Sequence, residues 1–194
     1  MRYPADHKDQ VRQNIVSAAA RRFRGRGGEV AIADLMRDLK LTHGGFYRHF
    51  GGKEELFNEA FMASFAQAKG KLLAAAEAAR PGRQLEAIIN AYLSDWHCAN
   101  PAEGCPMAAL TTEIARHPRR TRAAFDRVLR TNAAEFARFM PGDSPAQRER
   151  HAMVLFAGMA GALNVARAAS DDTLRRTILE QARALFVRAL DPRP

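Results

Sequence analysis

Apolar residues recur along this chain three and four positions apart, the spacing that lines one face of an α-helix, through nearly its whole length. Val11, Ile15, Ala18, Ala19 and Phe23 stripe a first helix that the glycine cluster between Gly25 and Gly28 is expected to end. Ile32, Leu35 and Met36 mark a second helix, and Leu39 to Leu41 form a short apolar break. Thr42 predicts a third, short helix over about 42–49, because its hydroxyl can accept a bond from a free backbone N–H at a helix start. Gly51 and Gly52 close that segment, and Lys53 opens a long helix reaching about Ala79, with Phe57, Phe61, Phe65, Ala68 and Leu72 along one face. Pro81 and Gly82 break the chain, and further helices are expected over about 84–98, 106–117, 119–140, 146–168 and 173–190. Alternating runs of Val, Ile and Thr are missing, as are internal repeats. The pattern predicts an all-α fold of about nine helices.

Composition agrees: 47% of the 194 residues are hydrophobic, 26% charged and 8% aromatic, with the alanine and leucine that suit helices. Charge adds something the apolar pattern lacks. The net charge is +9, and residues 1–53 hold 11 Lys or Arg against 5 Asp or Glu, so most of the excess sits in the first quarter of the chain. A basic surface concentrated there favours a polyanionic partner. No apolar run reaches the roughly 18–20 residues that span a bilayer, and the first residues lack a signal-peptide core, so a cytoplasmic protein without membrane contact is expected. Cys98 and Cys105 are then expected as thiols in a reducing compartment. There is no Gly-rich phosphate loop, no carboxylate pair at metal-ligand spacing and no nucleophile motif, which argues against an enzyme and calls for neither cofactor nor metal.

The most informative stretch is Leu41-Thr42-His43-Gly44-Gly45-Phe46-Tyr47-Arg48-His49-Phe50-Gly51-Gly52-Lys53-Glu54-Glu55-Leu56. A helix entering the major groove must present small or polar residues at its N-terminal end, so that its backbone approaches the base edges. Thr42, His43, Gly44 and Gly45 meet that need. Phe46 and Phe50, four apart, can pack inward, leaving Tyr47, Arg48 and His49 nearer the groove walls, where each can donate to phosphate oxygens. Lys53 stands at the next helix start, beside backbone N–H groups that also favour a phosphate.

This segment resembles the recognition helix and following turn of the TetR family of one-component repressors, in which a hydroxyl residue and a Gly precede Tyr-x-His-Phe, a short turn and Lys-Glu-Glu-Leu. The resemblance covers residues about 8–60 well and the remainder in helix number and length. It implies a helix-turn-helix domain over 1–52 and a helical effector-binding and dimerisation domain over 53–194. It assigns Tyr47, His49 and Lys53 to the phosphate backbone and Thr42, His43 and Gly44 to bases. Two positions depart from the pattern. Val30 and Ala31 stand where Thr or Ser often begins the second helix, and Lys40 occupies the turn position where Gly is usual, at a cost of about 1 kcal/mol for positive φ. Arg12, Arg21 and Arg22 are further phosphate candidates.

The expected function is a repressor that releases palindromic operator DNA when a small molecule binds, the long fourth helix carrying the change; an activator of the same fold is the alternative sign. Inward-facing residues that could meet an uncharged or amphipathic effector, or simply form core, are Phe61, Phe65, Tyr92, Trp96, Met107, Leu110, Phe125, Phe136 and Phe156. Cys105, followed by Pro106, is expected at a helix N-terminus, where the macrodipole favours thiolate, unless it is simply a small apolar residue of the core. It is therefore both a candidate effector contact and the centre of an alternative, thiol-based electrophile or redox sensor with Cys98. His97, Cys98 and Cys105 without a fourth ligand make a poor zinc site. A homodimer is expected through the last two helices: Ala157, Gly158 and Gly161 permit close approach, and Leu174, Ile178, Leu185 and Phe186 supply bulk.

Overall fold

A computed structural model describes residues 5–27 and 30–190. Its helices are α1 (Ala5–Arg26), α2 (Ile32–Asp38), α3 (His43–Phe46), α4 (Lys53–Glu77), α5 (Gln84–Tyr92), α6 (Asp95–Ala99), α7 (Pro106–Ile114), α8 (Arg119–Phe136), α9 (Pro145–Ala168) and α10 (Asp172–Leu190). Short 3₁₀ turns occupy Pro101–Glu103 and Ala137–Phe139, and there is no strand among the described residues. The all-α expectation holds, and so do most boundaries.

The clearest difference lies in the expected helix over 84–98, which breaks into α5 and α6. No Gly or Pro marks the break. Ser94 makes it: its hydroxyl accepts from the His97 N–H at 3.2 Å and donates to the Ala91 carbonyl at 3.0 Å, so it ends one helix and caps the next. The glycine cluster ends α1 as expected, at Gly27 with φ 68, while Gly28 lies outside the described residues.

A single apolar core runs from Ile15 and Phe23 of α1 to Leu163 of α9 and Leu179 of α10. Phe23 meets Phe57 edge-on at 5.0 Å between ring centres, locking α1 across the first turns of α4. Beyond α1, α4 also packs against α5, α7 and α8, so this helix spans both the compact N-terminal cluster and the larger bundle. Proline at the first position of α7 and of α9 starts those helices with φ already set, and Ser144 caps α9 by accepting from the Gln147 N–H at 3.2 Å.

One charged residue sits inside this core. Arg24 of α1 is buried, and its guanidinium donates to the Ala102 carbonyl at 2.7 Å, to Ser64 Oγ at 2.5 Å and to Gln67 Oε1 at 3.3 Å. Three hydrogen bonds compensate a cation that burial would otherwise heavily penalise. Arg24 thereby ties the end of α1 both to α4 and to the Pro101–Glu103 turn.

Candidate nucleic-acid interface, effector cavities and pairing face

The turn between α2 and α3 is set by two backbone bonds, Lys40 N–H to the Arg37 carbonyl at 2.9 Å and Leu41 N–H to the Met36 carbonyl at 2.8 Å. Together they form the nested 5→2 and 6→1 pair that closes a helix through one left-handed residue. That residue is Lys40, with φ 56, the only non-glycine of positive φ among the described residues. Thr42 then caps α3, its Oγ1 accepting from the Gly45 N–H at 3.2 Å. The helix is shorter than the expected 42–49: regular bonding covers His43–Phe46, and Tyr47 to His49 follow as tight turns through Arg48 N–H to Gly45 and His49 N–H to Phe46.

Inward and outward faces separate cleanly. Phe46 and Phe50 are buried and stacked at 5.4 Å, holding the segment on the core. Thr42, His43, Gly44, Arg48 and Lys53 are exposed, Gly45 is half-buried, and Tyr47 is 62% exposed, far beyond what a core tyrosine shows. A Cβ placed on Gly44 would meet nothing within 4 Å, so its bare backbone faces open space. His43 and Tyr47 stand edge to face at 5.7 Å. His49 is half-buried and its Nδ1 has no hydrogen-bond partner among the described groups. Burial, then Lys8, Arg12 and Arg48, lower its pKa and favour the neutral ring.

Arg12, expected to be available for phosphate, is instead a brace. It donates to the His49 carbonyl at 2.5 Å and to Glu55 at 3.2 Å, pairs with Glu59, and lies over the Phe50 ring at 4.2 Å. Glu55 also accepts from the Gly51 N–H at 2.7 Å, and that bond, with Arg12, holds its carboxyl below the usual range. The recognition segment is thus clamped at its end by α1 and α4. Arg22 is likewise engaged, with Asp38, whereas Arg21 is exposed.

Two apolar cavities lie in the bundle. The larger, about 350 Å³, is enclosed by α4, α7, α8 and α9, and Phe65, Met107, Phe136 and Phe156 line it, together with Cys105 and Ala157. The smaller, about 270 Å³, is lined by Tyr92, Trp96, His97, Lys71, Gly104 and again Cys105. Ala68 and Leu72 also belong to both walls. Phe61 and Leu110 are core residues outside both cavities, and Phe125 packs on Phe61 and Phe65 from outside them. Trp96 is not inward-facing as expected: it is 54% exposed, at the lip of the smaller cavity, with the Lys71 ammonium 5.1 Å from its ring centre.

Of the two readings of Cys105, the structure supports the buried, small apolar residue over the thiolate. Cys105 is indeed the N-cap of α7, and the Met107 and Ala108 N–H groups and Tyr92 act to lower its pKa, but burial outweighs them and the thiol is pushed up. Cys98 is pushed up by burial as well. Both are free thiols, and no group of three His, Cys, Asp or Glu side chains among the described residues is placed to hold a metal.

Behind Cys105 sits a residue whose importance the sequence did not signal. His97 is buried, with Nδ1 at 2.5 Å from the Tyr92 carbonyl, while Nε2 accepts from the Cys105 N–H at 2.8 Å. This fixes a neutral ring, protonated on Nδ1. Burial above all drives its pKa down to about 4, the Tyr92 carbonyl bond opposing and Arg167 and Lys71 adding to the fall. Arg167 holds the His97 and Cys98 carbonyls at 2.7 and 3.2 Å, and a Cβ on Gly104 would strike the imidazole at 2.6 Å.

Val154 and Val165 of α9 are exposed, on one stripe with exposed Ala157 and Gly161, and a Cβ on Gly161 would meet nothing within 4 Å. Leu174 and Leu185 of α10 are also exposed. Gly158 and Phe186 are engaged within the chain instead, a Cβ on Gly158 falling 2.9 Å from the Phe186 ring, and Ile178 packs on the core.

Comparison with known proteins matches this geometry. The family model described as bacterial regulatory proteins, tetR family, matches residues 15–60. An uncharacterized HTH-type transcriptional regulator of Mycobacterium tuberculosis is 28% identical over 200 residues, covering 94% of this chain and 97% of the relative. Among solved structures, a TetR-family transcriptional regulator from Cytophaga hutchinsonii superposes with a TM-score of 0.78 at 20% identity, over 97% of this chain and 98% of its own. The reduced form of E. coli NemR superposes with a TM-score of 0.75 at 18% identity, over 91% and 95%. No described helix is long and apolar enough to cross a membrane. The capped α3 segment and the left-handed turn before it fall within residues 15–60, the stretch matched by the model of bacterial regulatory proteins of the tetR family, and the whole chain shares the fold of TetR-family transcriptional regulators.

Proposed function

We propose that this regulator is a homodimeric, cytoplasmic repressor that leaves a palindromic operator when an apolar or amphipathic small molecule enters the bundle. The observation that carries the DNA-reading part is the exposed face of α3: Tyr47 projects from a segment whose Phe46 and Phe50 are buried and whose end Arg12 clamps. A rigid, bare-backboned helix start with a projecting phenol suits a groove. His43, with Thr42, Gly44 and Gly45, then meets the base edges, and Tyr47, Arg48, His49 and Lys53 hold phosphates. Residues 1–52 form the reading head and 53–194 the sensing part, and α4, which begins at Lys53 and lines both cavities, carries the effector's signal.

The pairing face would be the open stripe of Val154, Ala157, Gly161 and Val165 with Leu174 and Leu185. Exposed apolar side chains aligned along two helices are unusual unless a partner covers them.

A gel shift on the chain's own upstream region against random DNA at matched salt tests the reading. Tyr47→Ala is expected to weaken binding to every sequence while leaving the salt dependence nearly unchanged, because a neutral phenol displaces no counter-ion. His43→Ala is expected to change preference among sequences, by about 1–3 kcal/mol at one base pair. Unchanged binding in both variants refutes the assignment of α3 as the reader.

A further inference from the structure

The Tyr92 ring is fully buried and lines the smaller cavity, yet no described nitrogen or oxygen completes a hydrogen bond to its hydroxyl, which meets only the Cys105 sulfur. Its neighbour is the Cys105 thiol, a weak acceptor that raises the phenol's pKa further above what burial already imposes. The group therefore stays a protonated donor. Buried hydroxyls without partners are uncommon and costly, and one placed beside a cavity marks where a ligand's polar atom belongs.

The cavities constrain the rest of such a ligand. The two cavities adjoin across Ala68, Leu72 and Cys105, and the smaller one, where Tyr92 lies, offers a ligand's body the apolar walls of Ala68, Leu72, Ala91 and Trp96. Of the lining lysines, Lys69 is paired with Glu135 at 2.7 Å, and exposed Lys71 donates to the Glu103 carbonyl at 3.0 Å beside Trp96. Both ring nitrogens of His97 are committed. A carboxylate would lose its hydration for the single solvent-exposed ammonium of Lys71 at the rim, whereas a ketone or ester oxygen loses little and accepts from Tyr92.

We infer that the effector is an uncharged carbonyl compound with an aromatic or aliphatic body, its carbonyl oxygen accepting a hydrogen bond from the Tyr92 hydroxyl. This rests on the bundle cavities being the effector site. Binding is noncovalent and does not need the Cys105 thiol.

Trp96, the only tryptophan of the chain, stands at the lip and reports occupancy by its fluorescence. Hexanophenone and hexylbenzene, which differ by a carbonyl in place of a methylene, are titrated into the full-length wild type and into Tyr92→Phe and Cys105→Ser. The ketone is expected to bind about tenfold more tightly than the hydrocarbon in wild type and in Cys105→Ser. In Tyr92→Phe, which removes only the unpartnered oxygen, the preference is expected to fall below about twofold through loss of ketone affinity. A preference that survives in Tyr92→Phe, or para-hexylbenzoic acid binding more tightly than the ketone, overturns the inference. Equal binding of ketone and hydrocarbon in wild type overturns the hydrogen bond but leaves the cavity reading standing. No response of Trp96 emission or melting temperature to any of the three compounds overturns both.

Discussion

His97 makes the stability of this regulator depend on pH in a window that begins above the one in which carboxylates act. In the folded chain the ring is buried, with Nδ1–H on the Tyr92 carbonyl and Nε2 occupied by the Cys105 N–H, and its pKa is lowered to about 4 from the ordinary 6.5. The unfolded chain therefore binds a proton between those values that the folded chain does not, so stability is intact above about pH 6.5 and falls as the pH drops towards 4. Each unit of separation is worth about 1.4 kcal/mol. Integrating the two titrations, lowering the pH from 7.5 to 5 costs about 2 kcal/mol from this group alone, which for a chain of this size lowers the melting temperature by roughly 4–8 °C. His97→Gln offers a neutral amide that can donate and accept but does not titrate, so its slope should be shallower by that amount. Urea or thermal unfolding of both proteins across this range, at one fixed protein concentration because a dimer's stability depends on it, is the assay. Identical slopes for wild type and His97→Gln would refute the reasoning, whatever the variant's absolute stability.

Two further substitutions probe other parts of the fold. Lys40→Gly relieves the left-handed strain at φ 56 while keeping both turn bonds, and is expected to raise stability by about 1 kcal/mol in chemical unfolding; a neutral or lower value would show that the lysine side chain contributes there. Gly161→Arg puts a charge on the open stripe of α9, where it clashes with nothing in the chain itself, and should weaken self-association on the order of a hundredfold in sedimentation velocity without loss of helix content. A dimer that survives it means the pairing face lies elsewhere.

Local signals carried much of the fold into view. The Thr42 cap and the inward Phe46 and Phe50 were legible in the sequence because each depends on neighbours within four residues, while the strain at Lys40 was legible only through the family resemblance. What was not legible depends on distant partners. Arg12 looks like one more solvated arginine on α1 until Glu55, Glu59 and the His49 carbonyl are brought to it from more than thirty residues away. Helix geometry alone favours a thiolate at Cys105, and burial in the folded core overrides the dipole. Ser94-Asp95 did carry a capping signal, but continuous apolar spacing on either side masked it.

The buried guanidinium of Arg24 bears on how hybrid regulators could be made from this protein. Its hydrogen-bond partners, Ser64, Gln67 and Ala102, all lie beyond the first fifty-two residues, so grafting the DNA-reading segment onto an unrelated sensor would strand a cation in a greasy seam. A functional chimera would have to bring the matching hydroxyl, amide and carbonyl with it, or replace that arginine by an apolar residue of similar length.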